Sequence, residues 1–294
     1  MRGWWRVGIS GLMLLMTPAA VAAQGVRMEL TVEAAPALDA LADRVRRIDR
    51  ESLATRLAEA GLNMPPAVMV ELITDDDPRA RAMPTWIVGV AFGQRNVVIF
   101  PARVGPYPYE SLESVVSHEV VHLALTAQAD GPLPRWFHEG VATSVEQGWG
   151  LSGQARLVFA TVANPILADL GRLFQSNSEQ ENVNAYLLAA ALVADIRERH
   201  GANAPGRIVD QVAQGTPFPR AFLLQTGETP EQAATRAWER YRRWTNWIPV
   251  LASGSALWIG ILTLSCVAFL ATLRRRARLR RHWDSLEDDW DAEP

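Results

Sequence analysis

The stretch LESVVSHEVVHLALTAQ, residues 112–128, contains two histidines four positions apart. Residues i and i+4 lie on the same face of a helix, so His118 and His122 can bind a single metal ion. Glu119 directly follows the first histidine, and its carboxylate can reach a water molecule on that ion. The chain has only five histidines, which makes this spacing hard to explain by chance. The alternative is a buried helix with two hydrogen-bonded histidines.

A catalytic zinc ion usually has three protein ligands, so a third ligand is expected further along the chain. The segment LPRWFHEGVA, residues 133–142, resembles the W-x-x-E-G-x-A segment of the gluzincin metallopeptidases, the thermolysin-like clan. It is most similar to that of the peptidase MA-like families, in which the glutamate is the third ligand. Four positions match the pattern: Trp136, Glu139, Gly140 and Ala142.

This resemblance implies one Zn²⁺ ion bound by His118, His122 and Glu139, with Glu119 as the catalytic base. The ion would lower the pKa of a bound water molecule, and Glu119 would take its proton during attack on a peptide carbonyl. The resemblance also implies a zincin-like domain, which we place at residues 68–247. In such enzymes the hairpin before the motif helix holds an extended peptide substrate.

Three residues near these motifs have alternative roles. His138 is a rival third ligand, but adjacent helical residues point about 100° apart, so only one of His138 and Glu139 is expected to bind the ion. The W-x-x-E-G frame favours Glu139. Gluzincins often have an acid four residues after this glutamate that orients a histidine, and Thr143 departs from that pattern. Tyr186 is by resemblance a candidate oxyanion donor, and otherwise a half-buried helical tyrosine.

The periodicity of the chain predicts strands first and helices afterwards. Strands are expected at residues 26–32 and 68–73, and a hairpin at 86–100. Helices are expected at 36–60, 111–127, 137–147, 152–160, 165–174, 184–199, 205–214, 219–225 and 230–244. This order favours an α+β fold with an N-terminal mixed sheet and a C-terminal helical part. Residues 24–67 form the N-terminal strand-helix segment of the exported part.

Two apolar segments flank this region. Residues 1–23 combine arginines, a short apolar run and small residues, as in a secretory signal peptide, and an N-terminal membrane anchor is the alternative. Residues 248–273 contain no charge, and the run RRRARLRR follows them. This pattern predicts one C-terminal transmembrane helix, with residues 274–294 as a cytoplasmic tail. A buried core helix is the alternative.

The composition excludes several classes of protein. The formal net charge is −3, and the exported part is mildly acidic, which argues against nucleic acid as a partner. A single cysteine excludes an internal disulfide framework. We therefore predict a membrane-anchored zinc metallopeptidase that contacts membrane lipid through one span. It would cleave protein or peptide substrates outside the cytoplasm of a bacterial-type cell envelope. The alternatives are a non-catalytic binding or envelope-assembly module on a zincin scaffold, and an enzyme that cleaves cell-wall peptides.

Overall fold

The computed structural model describes residues 28–105, 110–129, 131–146, 166–176, 178–245, 258 and 261–274. The predicted signal peptide, the predicted helix at 152–160 and the predicted tail after residue 274 lie outside these residues. Within them the fold is α+β, with the strands in the first part of the chain and long helices after residue 110.

A mixed sheet of four strands forms the first part of the fold. The strands are β1 (Glu29–Ala34), β2 (Ala67–Leu72), β3 (Gly89–Phe92) and β4 (Asn96–Ile99), in the order β1-β2-β4-β3. β1, β2 and β4 run parallel, whereas β3 is antiparallel to β4. The predicted hairpin is therefore confirmed, and its first strand β3 lies at one edge of the sheet.

The helix predicted at residues 36–60 is two helices, α1 (Asp39–Arg46) and α2 (Arg50–Glu59), after a short 3₁₀ turn. The predicted helix is interrupted at Asp49, whose side chain accepts a hydrogen bond from the Ser52 amide and caps the N-terminus of α2. These helices connect β1 to the parallel strand β2, a connection that cannot be a short hairpin. Residues 28–66 thus contribute one strand, β1, to the common sheet.

A short helix, α3 (Pro78–Ala82), follows β2, and the Asp77 side chain caps it by accepting a hydrogen bond from the Arg79 amide. The remaining described helices form the second part of the fold. They are α4 (Leu112–Gln128), α5 (Arg135–Glu146), α6 (Leu167–Phe174), α7 (Glu179–His200), α8 (Ala204–Ala213), α9 (Phe218–Thr226) and α10 (Pro230–Thr245).

Helix α4 connects the two parts of the fold, because it contacts β3 and β4 on one side and α5 on the other. Helix α5 in turn packs along α7. One hydrophobic core includes side chains from the sheet and from α4, α5 and α7, among them Val70, Leu123, Phe137 and Leu192. Burial of such side chains stabilises the fold by about 1.5–3 kcal/mol each. The motif helix is therefore held rigidly between sheet and helices.

The transmembrane helix predicted at residues 248–273 is the part of the fold prediction that is wrong. Among the described residues, no helix is both long and apolar enough to cross a membrane. The described helical residues in this segment are 258 and 261–274. An uncharged run indicates an apolar composition and does not by itself establish a helix that spans a bilayer.

Candidate metal centre

Helix α4 carries the first two candidate ligands at its buried centre. Ser111 caps its N-terminus, and the Ser111 hydroxyl and Ser114 hydroxyl each accept a hydrogen bond from the other residue's amide. Because α4 lies between the sheet and α5, the apolar side chains of α4 are buried on nearly every face of the helix. His118 is fully buried, and the His122 side chain is 17% exposed. The second histidine is thus the one that faces the cavity described below.

Helix α5 brings the third candidate ligand to the same place. The Pro134 carbonyl accepts hydrogen bonds from the amides of Phe137 and His138, so the helix starts earlier than residue 137, where the sequence predicts it. Gly140, the glycine of the W-x-x-E-G frame, lies against α7: a Cβ there would be 2.5 Å from the Ala189 carbonyl oxygen. The absence of a side chain lets α5 approach α7 closely, and this approach fixes the position of Glu139.

Three donor atoms converge between these helices. His118 Nε2 lies 3.1 Å from His122 Nε2 and 3.3 Å from Glu139 Oε2, and His122 Nε2 lies 3.4 Å from Glu139 Oε2. Two atoms bound to zinc at about 2.0–2.1 Å, and separated by the tetrahedral angle, lie about 3.3–3.4 Å apart. The triangle therefore has nearly the edges of a zinc tetrahedron. Two imidazoles and one carboxylate are also donors that suit zinc, so these residues can hold such an ion.

The protonation of the triad follows from burial and mutual charge. Burial raises the pKa of Glu139, but the neighbouring His122 and hydrogen bonds from both histidines outweigh it and hold this pKa well below its usual value. Burial lowers the pKa of His118. Burial also lowers the pKa of His122, but the charge of Glu139 outweighs it and raises this pKa above its usual value. Glu139 is thus a carboxylate, and a metal ion would compete with protons for His122.

Glu119 lies beside the triad in a cavity of about 240 Å³. Burial raises the pKa of its carboxyl to about 7, against the smaller opposing effect of His122. The Ala91 amide of the edge strand β3 donates a hydrogen bond to this carboxyl. Such a pKa suits a group that both accepts and returns a proton near neutral pH. Residues 86–91, which include the first part of β3, also line this cavity.

The edge strand reaches Glu119 because residue 89 is glycine. A Cβ at Gly89 would lie 2.7 Å from Glu119 Oε1 and 2.9 Å from Val115 Cγ1, both closer than van der Waals contact allows. The hydrogen-bond pattern of the hairpin explains the orientation. Phe100 donates its amide to the Val88 carbonyl, so alternate residues, including Gly89 and Ala91, direct their backbone groups away from β4 and towards the cavity.

The residues with alternative roles have distinct positions. His138 is outside the group of donor atoms that lie within 4.8 Å of one another, and its ring centroid is 5.7 Å from that of His122. Burial lowers the pKa of His138 to about 4, so it is neutral at physiological pH. Tyr186 lines the cavity, and its ring lies edge-on to His118 with centroids 6.3 Å apart. Thr143 is buried, and its hydroxyl has no hydrogen-bond partner in the described part of the chain.

Two residues of this site are absent from the sequence prediction. Gly89 is one, since only the placement of β3 against α4 reveals the lack of space. Arg135 is the other: it lines the cavity, and its Nε lies 3.5 Å from Glu139 Oε1. A signal for Arg135 does exist in the sequence. It stands four residues before Glu139, where an arginine and a glutamate on one helix face each other.

Comparison with known proteins found neither a matching family model nor a matching curated protein. The resemblance to the gluzincins thus stays a prediction from the two motifs.

Proposed function

We propose that this domain is a zinc-dependent peptidase in which His118, His122 and Glu139 hold the ion and Glu119 is the general base. The observation that supports it most strongly is the triangle of donor atoms, with edges of 3.1–3.4 Å, beside a buried carboxyl in one cavity. The i,i+4 spacing alone cannot distinguish a metal site from two buried histidines. A third donor from another helix, at tetrahedral distance, favours the metal site.

A peptide is the substrate that this cavity suits. One wall is the edge strand β3, and the backbone groups of Gly89 face the cavity. An extended peptide can add to such an edge by main-chain hydrogen bonds, without dependence on its side chains. Because the Ala91 amide is already bonded to Glu119, the pairing with substrate falls on the Gly89 end of the strand. A peptide paired in this way would have a carbonyl between the strand and the triad.

The chemistry is peptide-bond hydrolysis. When bound, zinc supplies a Lewis acid that lowers the pKa of water and polarises a carbonyl. Glu119 accepts a proton from the water whose oxygen attacks the peptide carbonyl carbon. Glu119 then returns that proton to the amide nitrogen as the carbon–nitrogen bond breaks. Tyr186 lines the same cavity and is the candidate donor to the carbonyl oxygen as negative charge develops there.

The test is the Glu119→Gln variant, since Gln is similar in shape, accepts the Ala91 amide and cannot take up a proton. We expect full zinc content by metal analysis and a loss of peptide hydrolysis of about 10²–10⁴-fold. Hydrolysis at the rate of the natural protein would overturn the role of Glu119. If the zinc-loaded natural protein cleaves nothing in a broad peptide library, the alternative of a non-catalytic binding module is favoured.

A further inference from the structure

Arg135 lines the cavity beside the candidate metal centre. It is the first residue of α5, and its Nε contacts Oε1 of Glu139, the oxygen that points away from the histidine nitrogens. The Arg135 side chain is 45% exposed. The guanidinium is thus close to the candidate metal centre and still accessible from the cavity.

The guanidinium is held in place by a neighbouring helix. Arg135 Nη1 donates a hydrogen bond to the Phe174 carbonyl at 3.1 Å, and the guanidinium carbon lies 4.8 Å from the centroid of the Phe174 ring. An arginine has five N–H donors in a fixed plane, and these contacts use only part of them. Among the described residues, Nη2 has no hydrogen-bond partner. The group is therefore oriented before any substrate arrives.

The charges of the cavity favour an anion at this position. Its carboxylates are Glu119 and Glu139, and a dication at the triad would offset both. The charge of Arg135 is then left uncompensated, in a partly buried place where electrostatic attraction is stronger than in water. A carboxylate is the peptide group that an arginine fork binds best, through two parallel hydrogen bonds.

We propose that Arg135 is a specificity-determining residue that binds a carboxylate of the substrate next to the bond that is cleaved. This inference rests on the proposed function, because only a peptidase would treat the bound peptide as a substrate. The binding of the carboxylate itself does not require turnover. Two sources supply the same group: the C-terminal carboxylate of a peptide and the side chain of an internal acidic residue. The first would make the protein a carboxypeptidase, and the second an endopeptidase with acidic preference.

The experiment measures binding to the zinc-loaded full chain with Glu119→Gln, which is expected to hold peptides without cleaving them. Three peptides of equal length are compared by calorimetry: one with a free C-terminal carboxylate, its C-terminal amide, and the amide with one internal glutamate. We expect one of the two anionic peptides to bind about tenfold to a hundredfold more tightly than the neutral amide. Arg135→Gln should abolish this preference, and Arg135→Glu should reverse it.

Three controls separate this role from a merely structural one. Arg172→Gln, at an exposed arginine on α6, should leave the preference unchanged. Zinc content is measured in every variant because Arg135 contacts Glu139, a candidate metal ligand. If Arg135→Gln loses zinc, Arg135→Lys replaces it, and because lysine keeps the positive charge this variant should retain a preference for the anionic peptide. The inference would be overturned by equal affinities for the three peptides or by a preference that persists in zinc-loaded Arg135→Gln. It would also be overturned if none of the three peptides binds. A preference without hydrolysis by the natural protein removes the proposed function and supports this inference.

Discussion

Gly89 of the edge strand leaves no space for a side chain between its backbone and Glu119 of the motif helix. A Cβ at residue 89 would lie 2.7 Å from Glu119 Oε1 and 3.0 Å from Glu119 Cγ. Two residues further along the same strand, the Ala91 amide donates a hydrogen bond to this carboxyl. The strand that we propose to pair with substrate therefore also sets the position of the proposed base.

The first prediction is that Gly89→Ala lowers kcat while zinc stays bound. The added methyl group must displace the Glu119 carboxyl or push β3 outwards, and a displacement of about 1 Å in a catalytic group costs up to about a hundredfold in rate. We expect a loss of tenfold to about a hundredfold in kcat, measured with saturating peptide, and an unchanged metal analysis.

Gly105→Ala is the matched control for this substitution, because among the described residues a Cβ at that position meets only the Arg103 carbonyl oxygen, at an ordinary 3.7 Å. Its kcat should equal that of the natural protein. If Gly89→Ala is as active as Gly105→Ala, the contact with Glu119 has no role in catalysis.

The second prediction concerns pH. Burial raises the pKa of Glu119 from 4.5 to about 7, and a bound dication would lower it again. Glu119 must be ionised to accept a proton, so activity should increase as the pH rises through this pKa. We expect the acid limb of the kcat/KM profile to lie between 4.5 and about 7. Aspartate differs from glutamate in its ordinary pKa and in the length of its side chain. If the acid limb of the profile has the same position in Glu119→Asp, the limb reports the ionisation of another group.

The third prediction distinguishes the two possible third ligands. Glu139→Ala removes an atom of the donor triangle, so we expect zinc affinity to fall by more than about a hundredfold in a competition assay with a chelator, since loss of an outer-shell partner alone costs 10–100-fold. His138→Ala should retain zinc, because its ring lies outside the group of converging atoms. The opposite pattern, with zinc retained in Glu139→Ala and lost in His138→Ala, would assign the third position to His138.

Much of the site follows from the sequence because it depends on short-range geometry. The i,i+4 rule places His118 and His122 together, and the W-x-x-E-G frame identifies Glu139 by resemblance. Local chemistry also sets helix ends that hydrophobic periodicity misses: Ser178 caps α7 through the Glu181 amide, so the helix begins before residue 184. Asp49 likewise divides the predicted helix at 36–60 by capping α2.

The rest of the site depends on contacts between elements that are distant in the sequence. Nothing near Gly89 in the chain indicates that a carboxyl from α4 lies against it. Arg135 has a visible partner in Glu139, but its orientation also requires Phe174 from α6. Such contacts depend on how helices and strands pack, and no local pattern encodes them.

The last prediction explains the glycine of the W-x-x-E-G frame by packing. A Cβ at Gly140 would lie 2.5 Å from the Ala189 carbonyl oxygen and 2.7 Å from Val193 Cγ2, on the face of α7 that α5 contacts. Both neighbours are buried and one is backbone, so the helices must separate. Overpacking of this kind typically costs about 1–3 kcal/mol. We expect Gly140→Ala to lower the free energy of unfolding by at least that amount, measured by denaturant titration.

The control is Gly171→Ala on α6, where no atom of the described part of the chain lies within 4 Å of the added Cβ. There alanine should stabilise the helix, by up to about 1 kcal/mol, because glycine loses more conformational entropy on folding. A separation of α5 from α7 also moves Glu139, which directly precedes Gly140. Zinc affinity should therefore fall together with stability in Gly140→Ala and stay constant in Gly171→Ala. A variant Gly140→Ala with natural stability and zinc affinity would show that α5 can approach α7 without this glycine.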